Sequence, residues 1–160
     1  MSTIRIGTGY DVHQLVPDRP LIMGGVTIDH PTGLLGHSDA DVLSHAISDA
    51  LLGSLSLGSI GDLFPDTDPT YKDADSIVLL KEVYNLIKSK GYQLGNIDAV
   101  IIAQEPKFKP HITKIRQSLA RVLDCPIHDV GLKATTTERL GFEGREEGIA
   151  VQANVLVVKQ

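Results

Sequence analysis

The chain has no tryptophan and only one cysteine, Cys125. A lone thiol has no partner within the chain, so no internal disulfide is expected and a reducing compartment is implied. No run of about 18 apolar residues occurs, which argues against a spanning helix. The opening MSTIRIGTGYDVH lacks the long apolar segment and cleavage site of a signal peptide. A cytoplasmic protein is the expectation. Basic clusters are missing too: 15 Lys and Arg are scattered among 20 Asp and Glu, for a net charge of −5. Nucleic-acid binding wants a basic stripe, so it is not expected. A small anionic substrate stays possible, because local cations or a metal can reverse the field inside one pocket.

Several catalytic signatures are absent. There is no phosphate-binding G-x-x-x-x-G-K-[ST] loop, and Gly7-Thr8-Gly9 lacks the third glycine of a dinucleotide motif. Asp66-Thr67-Asp68 begins like a calcium loop but fails at Tyr71 and Ile77. No G-x-S-x-G elbow occurs, and nothing marks a protein nucleophile.

What is present reads as one domain. A chain of 160 residues buries roughly 70% of its unfolded surface without staples. Ile4 to Val12 reads as a strand with Ile4 and Ile6 on one face, and Pro20 to Ile28 as a second, bulged at Gly24 and Gly25. Val42, Leu43, Ala46, Ile47, Ala50 and Leu51 form a helical stripe that Ser38 or Asp39 would cap. Gly58, Gly61 and Pro65 break into an acidic loop. A second helix runs from Ser76 to Lys90, with Asp75 as cap and Gly91 as stop. Asn96 to Ala103 reads as a strand buried on both faces. A third helix begins near Pro110 and ends near Leu123, and Val130 to Thr137 and Ile149 to Lys159 are the last strands. Helices alternating with buried strands give a mixed α/β or α+β class.

The candidate metal ligands are Asp11, His13 and His45. Residues i and i+2 of a strand point the same way, so Asp11 and His13 can grip one ion, with His45 added from the first helix. Two imidazoles and a carboxylate suit zinc with a fourth position open; by spacing alone, chance and a surface histidine explain the same pattern. Asp41 and Asp49 lie one turn either side of His45, and Asp49 is the first choice to hold its second ring nitrogen. Gly36-His37-Ser38-Asp39 leads into that helix, either as an anion site at its positive end or as simple capping by Ser38. Lys133 and Thr135-Thr136-Thr137-Glu138 offer hydroxyls beside a hard-cation ligand, or a β-prone strand. Arg145 fits a phosphate clamp or a surface ion pair.

Together, Gly9-Tyr10-Asp11-Val12-His13, Gly36-His37-Ser38-Asp39-Ala40-Asp41-Val42, Phe64-Pro65-Asp66-Thr67-Asp68, Lys133 to Glu138 and Gly144-Arg145 closely resemble the 2-C-methyl-D-erythritol 2,4-cyclodiphosphate synthase family. The likeness runs from about Ile4 to Lys159. It implies a single cyclodiphosphate synthase domain over residues 1–160, an α/β (α+β) fold with a mixed sheet and helices packed on one face, assembling as a homotrimer with active sites between chains. It implies a CMP-releasing lyase of the non-mevalonate isoprenoid route. By position, Asp11, His13 and His45 would hold zinc and Glu138 magnesium or manganese. His37 and Thr136 would stabilise the transition state, and Ser38, Asp66, Phe142 and Arg145 would contact substrate. Ala103, Lys107, Phe108, Lys109 and Thr135 would line the cytidine pocket. Ser59 stands where this family often carries Asp. A metal-dependent phosphodiesterase and a non-catalytic binding protein with structural zinc are the rival readings.

Overall fold

A computed structural model describes residues 1–160. The long strand β1 (Ile4–Pro17) opens the chain. It runs five residues beyond the Val12 end expected from sequence, because its last residues find a partner in β4 (Thr32–Leu35), which pairs Gln14 to Pro17. Between them, β2 (Leu21–Met23) and β3 (Val26–Ile28) form a two-stranded hairpin, not one bulged strand. The reason is local: Gly24 and Gly25 both take positive φ, 59° and 79°, which reverses the chain in two residues.

Helix α1 (Val42–Ser54) is followed by the short α2 (Ile60–Leu63), which contains Gly61 in place of the expected break there. Then come α3 (Ser76–Ser89), capped by Asp75 as expected, and β5 (Tyr92–Ile102). Helix α4 (Ile112–Val122), β6 (Val130–Thr135), the single turn α5 (Gly141–Gly144) and β7 (Gly148–Lys159) complete the chain. The five-stranded sheet has the order β4-β1-β7-β5-β6; only the β5–β6 pair is parallel. Its bulge falls between Leu94 and Asn96, at Gly95.

The helices cover one face of this sheet. Ile149, Val151, Ala153, Val155 and Val157 of β7 are buried beneath them, with Ile97, Ala99 and Ile101 of β5. On the other face Asp98 is exposed and Val100 and Ile102 are only half-buried, so β5 is not buried on both faces as its apolar run suggested. That uncovered face also carries Ile4, Ile6, Tyr10 and Val12, all exposed.

Helix α1 is the centre of the core. Leu43, Ile47 and Leu51 are fully buried, and each contributes roughly 1.5–3 kcal/mol by area. It lies unusually close to β1, and Gly7 and Gly9 are the cause. A Cβ on Gly9 would fall 1.9 Å from the Ala46 carbonyl oxygen, and one on Gly7 equally close to that of Ala50. The helix backbone therefore rests directly on the strand, one pleat below Asp11.

Candidate metal centre

Strand alternation puts Gly7, Gly9, Asp11 and His13 on the helix-facing side of β1. Since α1 rests on the two glycines, its His45 reaches the two side chains that follow them. The His13 Nε2 lies 3.0 Å from Asp11 Oδ2, His45 Nδ1 lies 3.1 Å from the same oxygen, and the two ring nitrogens are 3.2 Å apart. Three ligand atoms around zinc, at bond lengths of 2.0–2.2 Å, sit about 3.3 Å from one another. The spacing of the three atoms fits one zinc ion, which Asp11, His13 and His45 would hold beside the cleft that His13 and His45 line.

The proton placement fits as well. His13 Nδ1 donates to the Leu35 carbonyl at 2.8 Å, which leaves Nε2 as a lone pair. His13 can thus aim a lone pair at the point it shares with His45 Nδ1 and the Asp11 carboxylate. Burial would raise the Asp11 carboxyl, but in the metal-free chain the His13 and His45 rings, when protonated toward it, carry it down to about 2 through hydrogen bonds and charge. Burial lowers His13, and the Asp11 carboxylate more than offsets this, leaving it above its ordinary value. The set favours positive charge at its centre, whether from protons or from a divalent cation.

Two expectations fail here. Asp49 does not touch the His45 ring; its carboxylate accepts from the Ile60 N–H at 2.6 Å and anchors α2, being turned toward that exposed end. The second nitrogen of His45 instead meets Ser76 Oγ at 2.8 Å and Ser38 Oγ at 3.1 Å. Nor is the start of α1 an open anion site or capped by Ser38. Asp41 caps it, fully buried, accepting from Ser44 N–H and from the Gly24 and Gly25 N–H groups of the hairpin turn. Its carboxylate occupies the positive end that a phosphate would use.

A cleft of ≈ 330 Å³ opens beside the triangle, lined by His13, His37, Ser38, His45 and Asp66, with Ile60, Phe64, Pro65, Tyr71 and Leu79 as its apolar wall. His37 Nε2 donates to the Asp68 carbonyl at 3.2 Å. Ser38 borders the cleft, but its hydroxyl faces His45 and Ser76.

The other predicted residues lie elsewhere. Ala103, Lys107, Phe108, Lys109, Thr135 and Thr136 line a second pocket of ≈ 140 Å³ at the ends of β5 and β6. It shares no residue with the metal cleft. Both open at the same end of the sheet, since Asp11 and Ile101 pair with the same β7 residue, Val151. Yet β1 and β6 are three strand spacings apart, about 14 Å. His37 and Thr136 are therefore not brought together within one chain. Glu138 follows in a turn where it and Arg139 both take left-handed φ, 55° and 65°. This ends β6 at Thr135, two residues short of expectation. Phe142 packs beside Gly148. Arg145 pairs with Glu147 at 2.8 Å on the surface, and Lys133 with Asp98 on the uncovered sheet face. Ser59 N–H donates to Asp62 at the start of α2.

Sequence reading missed Ser76 as a partner of His45. Its only signal is a position at the first turn of a helix, next to the expected cap Asp75.

Residues 4–158 match the model of the YgbB family. A curated relative from Nostoc punctiforme, a 2-C-methyl-D-erythritol 2,4-cyclodiphosphate synthase, is 58% identical over 160 residues, covering 100% of both chains. Among solved structures, the bifunctional IspDF from Campylobacter jejuni superposes with a TM-score of 0.95 at 44% identity; the match covers 98% of this chain and 42% of that longer one. A Plasmodium falciparum IspF in complex with CDP gives a TM-score of 0.88 at 34% identity, covering 100% and 99%. No helix is long and apolar enough to cross a membrane.

Proposed function

Because the chain belongs to the YgbB family, we propose that it is a cyclodiphosphate-forming synthase of isoprenoid biosynthesis. It takes 4-diphosphocytidyl-2-C-methyl-D-erythritol 2-phosphate to 2-C-methyl-D-erythritol 2,4-cyclodiphosphate and CMP. The observation that carries the reading is the Asp11–His13–His45 triangle beside a cleft with no protein nucleophile.

None is needed. A phosphate monoester is mostly dianionic at neutral pH. An oxygen of the substrate's own 2-phosphate forms the new bond to the β-phosphorus, while the β-phosphorus–oxygen bond to CMP breaks and the electron pair leaves with CMP. The protein has to fold the substrate into line and balance clustered negative charge. Asp11, His13 and His45 would hold zinc, and Glu138 magnesium or manganese. When bound, these cations supply Lewis-acid neutralisation of the diphosphate oxygens. His37 and Thr136 stabilise the charge that builds on the phosphate oxygens in the transition state. Asp66 and the Ser38 segment hold the polyol and its phosphate, and Ala103, Lys107, Phe108, Lys109 and Thr135 take the cytosine nucleotide. The CDP named in the Plasmodium falciparum complex supports a cytidine nucleotide as the ligand. Phe142 and Arg145 border the phosphate end.

The three strand spacings between β1 and β6, about 14 Å, call for a second copy to complete the site. In a homotrimer, one copy's β5–β6 pocket adjoins the next copy's metal cleft, with the apolar uncovered face of β1 turned to the axis. A hydrolase reading is separated by its products, since water attack releases no cyclic diphosphate.

The test is His45→Ala. It is expected to lose zinc and turnover while keeping its fold by circular dichroism. A variant that retains stoichiometric zinc and full activity would falsify the assignment.

A further inference from the structure

The polar contacts around His45 reach well beyond the triangle. Ser76, the first residue of α3, is fully buried, and its hydroxyl stands between the His45 ring and Asp39. A hydroxyl has one proton. Ser76 Oγ donates it to Asp39 Oδ1, a carboxylate that can only accept. Toward His45, at 2.8 Å, the same oxygen is then an acceptor, so His45 Nε2 carries a proton. In a neutral imidazole this makes Nδ1 the lone pair, and Nδ1 is the atom 3.1 Å from Asp11 Oδ2.

Asp39 is held in turn. Its Oδ2 accepts from the Ser76 N–H at 3.1 Å and its Oδ1 from the Asp41 N–H at 3.1 Å. Ala40 between them sits at φ 59°, a left-handed turn that sends the Asp39 and Asp41 side chains to different partners. Three donors on two carboxylate oxygens leave Asp39 no role as a donor.

We propose that Ser76 and Asp39 are positioning residues that fix the Nε2–H tautomer of His45 and so deliver its Nδ1 as the third metal ligand. Ser38 Oγ, at 3.1 Å from the same nitrogen, is a longer auxiliary contact that already accepts from the Ala40 N–H. The link ties the start of α3 to the metal centre across 31 residues of chain. Its zinc-binding consequence rests on the function proposed above; its tautomer consequence does not.

The two are read separately. The His45 tautomer is followed in metal-free, uniformly ¹⁵N-labelled full-length protein at pH 8.5 by long-range ¹H–¹⁵N correlation, and zinc affinity by competition with a chromophoric chelator. Wild type is expected to show one His45 tautomer, protonated at Nε2. Ser76→Ala loses the acceptor and is expected to populate both tautomers, with zinc binding weakened roughly 10–100-fold. Ser76→Thr keeps the hydroxyl and is expected to restore the single tautomer and an affinity within about threefold of wild type. Asp39→Asn offers one oxygen to three donors, so it drops the Ser76 N–H bond or reverses the hydroxyl, and the Nδ1–H form is expected to rise. Thermal melting checks that each variant is folded, and Ser76→Thr and Asp39→Asn keep the test alive should Ser76→Ala not fold. A wild type protonated at Nδ1, or a folded Ser76→Ala with an unchanged tautomer and zinc affinity, overturns the proposal. If wild type takes no zinc, the metal-centre reading falls, and the metal-free tautomer still decides the Ser76–Asp39 link.

Discussion

At the β1–α1 edge, both rings of the candidate metal triad are held from behind, His13 by the Leu35 carbonyl and His45 by Ser76 and Ser38, while Asp11 meets the two rings on the ligand side. At the β5–β6 edge, Lys107, Lys109, Thr135 and Glu138 are all exposed, and the turn that carries Glu138 runs through two left-handed residues. The hydroxyls of Thr135 and Thr136 hydrogen-bond only within their own turn. Past the Ala103 N–H bond to the Thr135 carbonyl, the turn is anchored at long range by Gln104, buried, whose side-chain oxygen accepts from the Arg139 N–H at 3.1 Å. The first edge is preorganised around a charge that one copy can hold by itself. The second is open, and its exposed side chains are held only by near neighbours in sequence, as Lys107 is by the Gln104 carbonyl and Glu105.

The largest effect is expected where the first edge depends on the closest packing. Gly9→Val drives a side chain into the Ala46 carbonyl and should cost about 3 kcal/mol or more, with loss of zinc because His45 is lifted from Asp11. Urea denaturation reads it, and a wild-type midpoint would mean that the contact is soft.

Next comes the division between the edges. Glu138→Gln should lower turnover by roughly 10²-fold yet leave zinc stoichiometry unchanged, whereas His45→Ala does the reverse to zinc. Refolded together, the two inactive variants should regain about a quarter of wild-type activity if sites form between copies of a homotrimer. No recovery in mixed trimers would place both half-sites in one chain and erase the comparison.

Protons sharpen the first edge further. In metal-free protein the His13–Asp11 pair stabilises the fold below the ordinary histidine value of 6.5, and that contribution is lost as pH rises through the raised His13 pKa. At the acid end, Asp11 contributes above 3.8 and loses its contribution as pH falls toward about 2. Zinc competes for the same lone pair, so its affinity and the turnover move oppositely, falling as pH drops through the His13 value. Chelator competition across pH 5 to 9, roughly the window set by ordinary histidine titration, reads this. A flat affinity would remove His13 from the ligand set.

The smallest effect belongs to Arg145. Its ion pair with Glu147 is exposed, so Arg145→Ala should leave the melting temperature essentially unchanged. Any large fall in turnover then belongs to substrate contact, and a large fall in melting temperature would show the pair to be structural after all.

Much of the packed edge was legible in the residues. The Val42-to-Leu51 stripe is buried as a helix face, and the alternation of β7 correctly divides Ile149, Val151, Ala153, Val155 and Val157 from Gln152 and Asn154. Asp11 and His13 share a direction by strand geometry alone. The errors fell where two local devices compete. Ser38, Asp39 and Asp41 are all good caps, and the winner was the one that also met the Gly24–Gly25 turn, 16 or 17 residues away. Asp49 is correctly spaced for His45, but the backbone of Ile60 claimed it. Gly7-Thr8-Gly9 was weighed only as a nucleotide motif, while its use is to let a helix lie on a strand.

The sequence by itself determined periodicities and chemistry: which residues face the core, and which two side chains project together from β1. These follow from covalent geometry within a few residues. The tertiary structure decided how near α1 comes to β1, which nitrogen of His45 keeps its proton, and how far apart the two pockets lie. Those depend on close approach between segments 30 or more residues apart, where the packing of backbone on backbone, and not spacing along the chain, sets the distances.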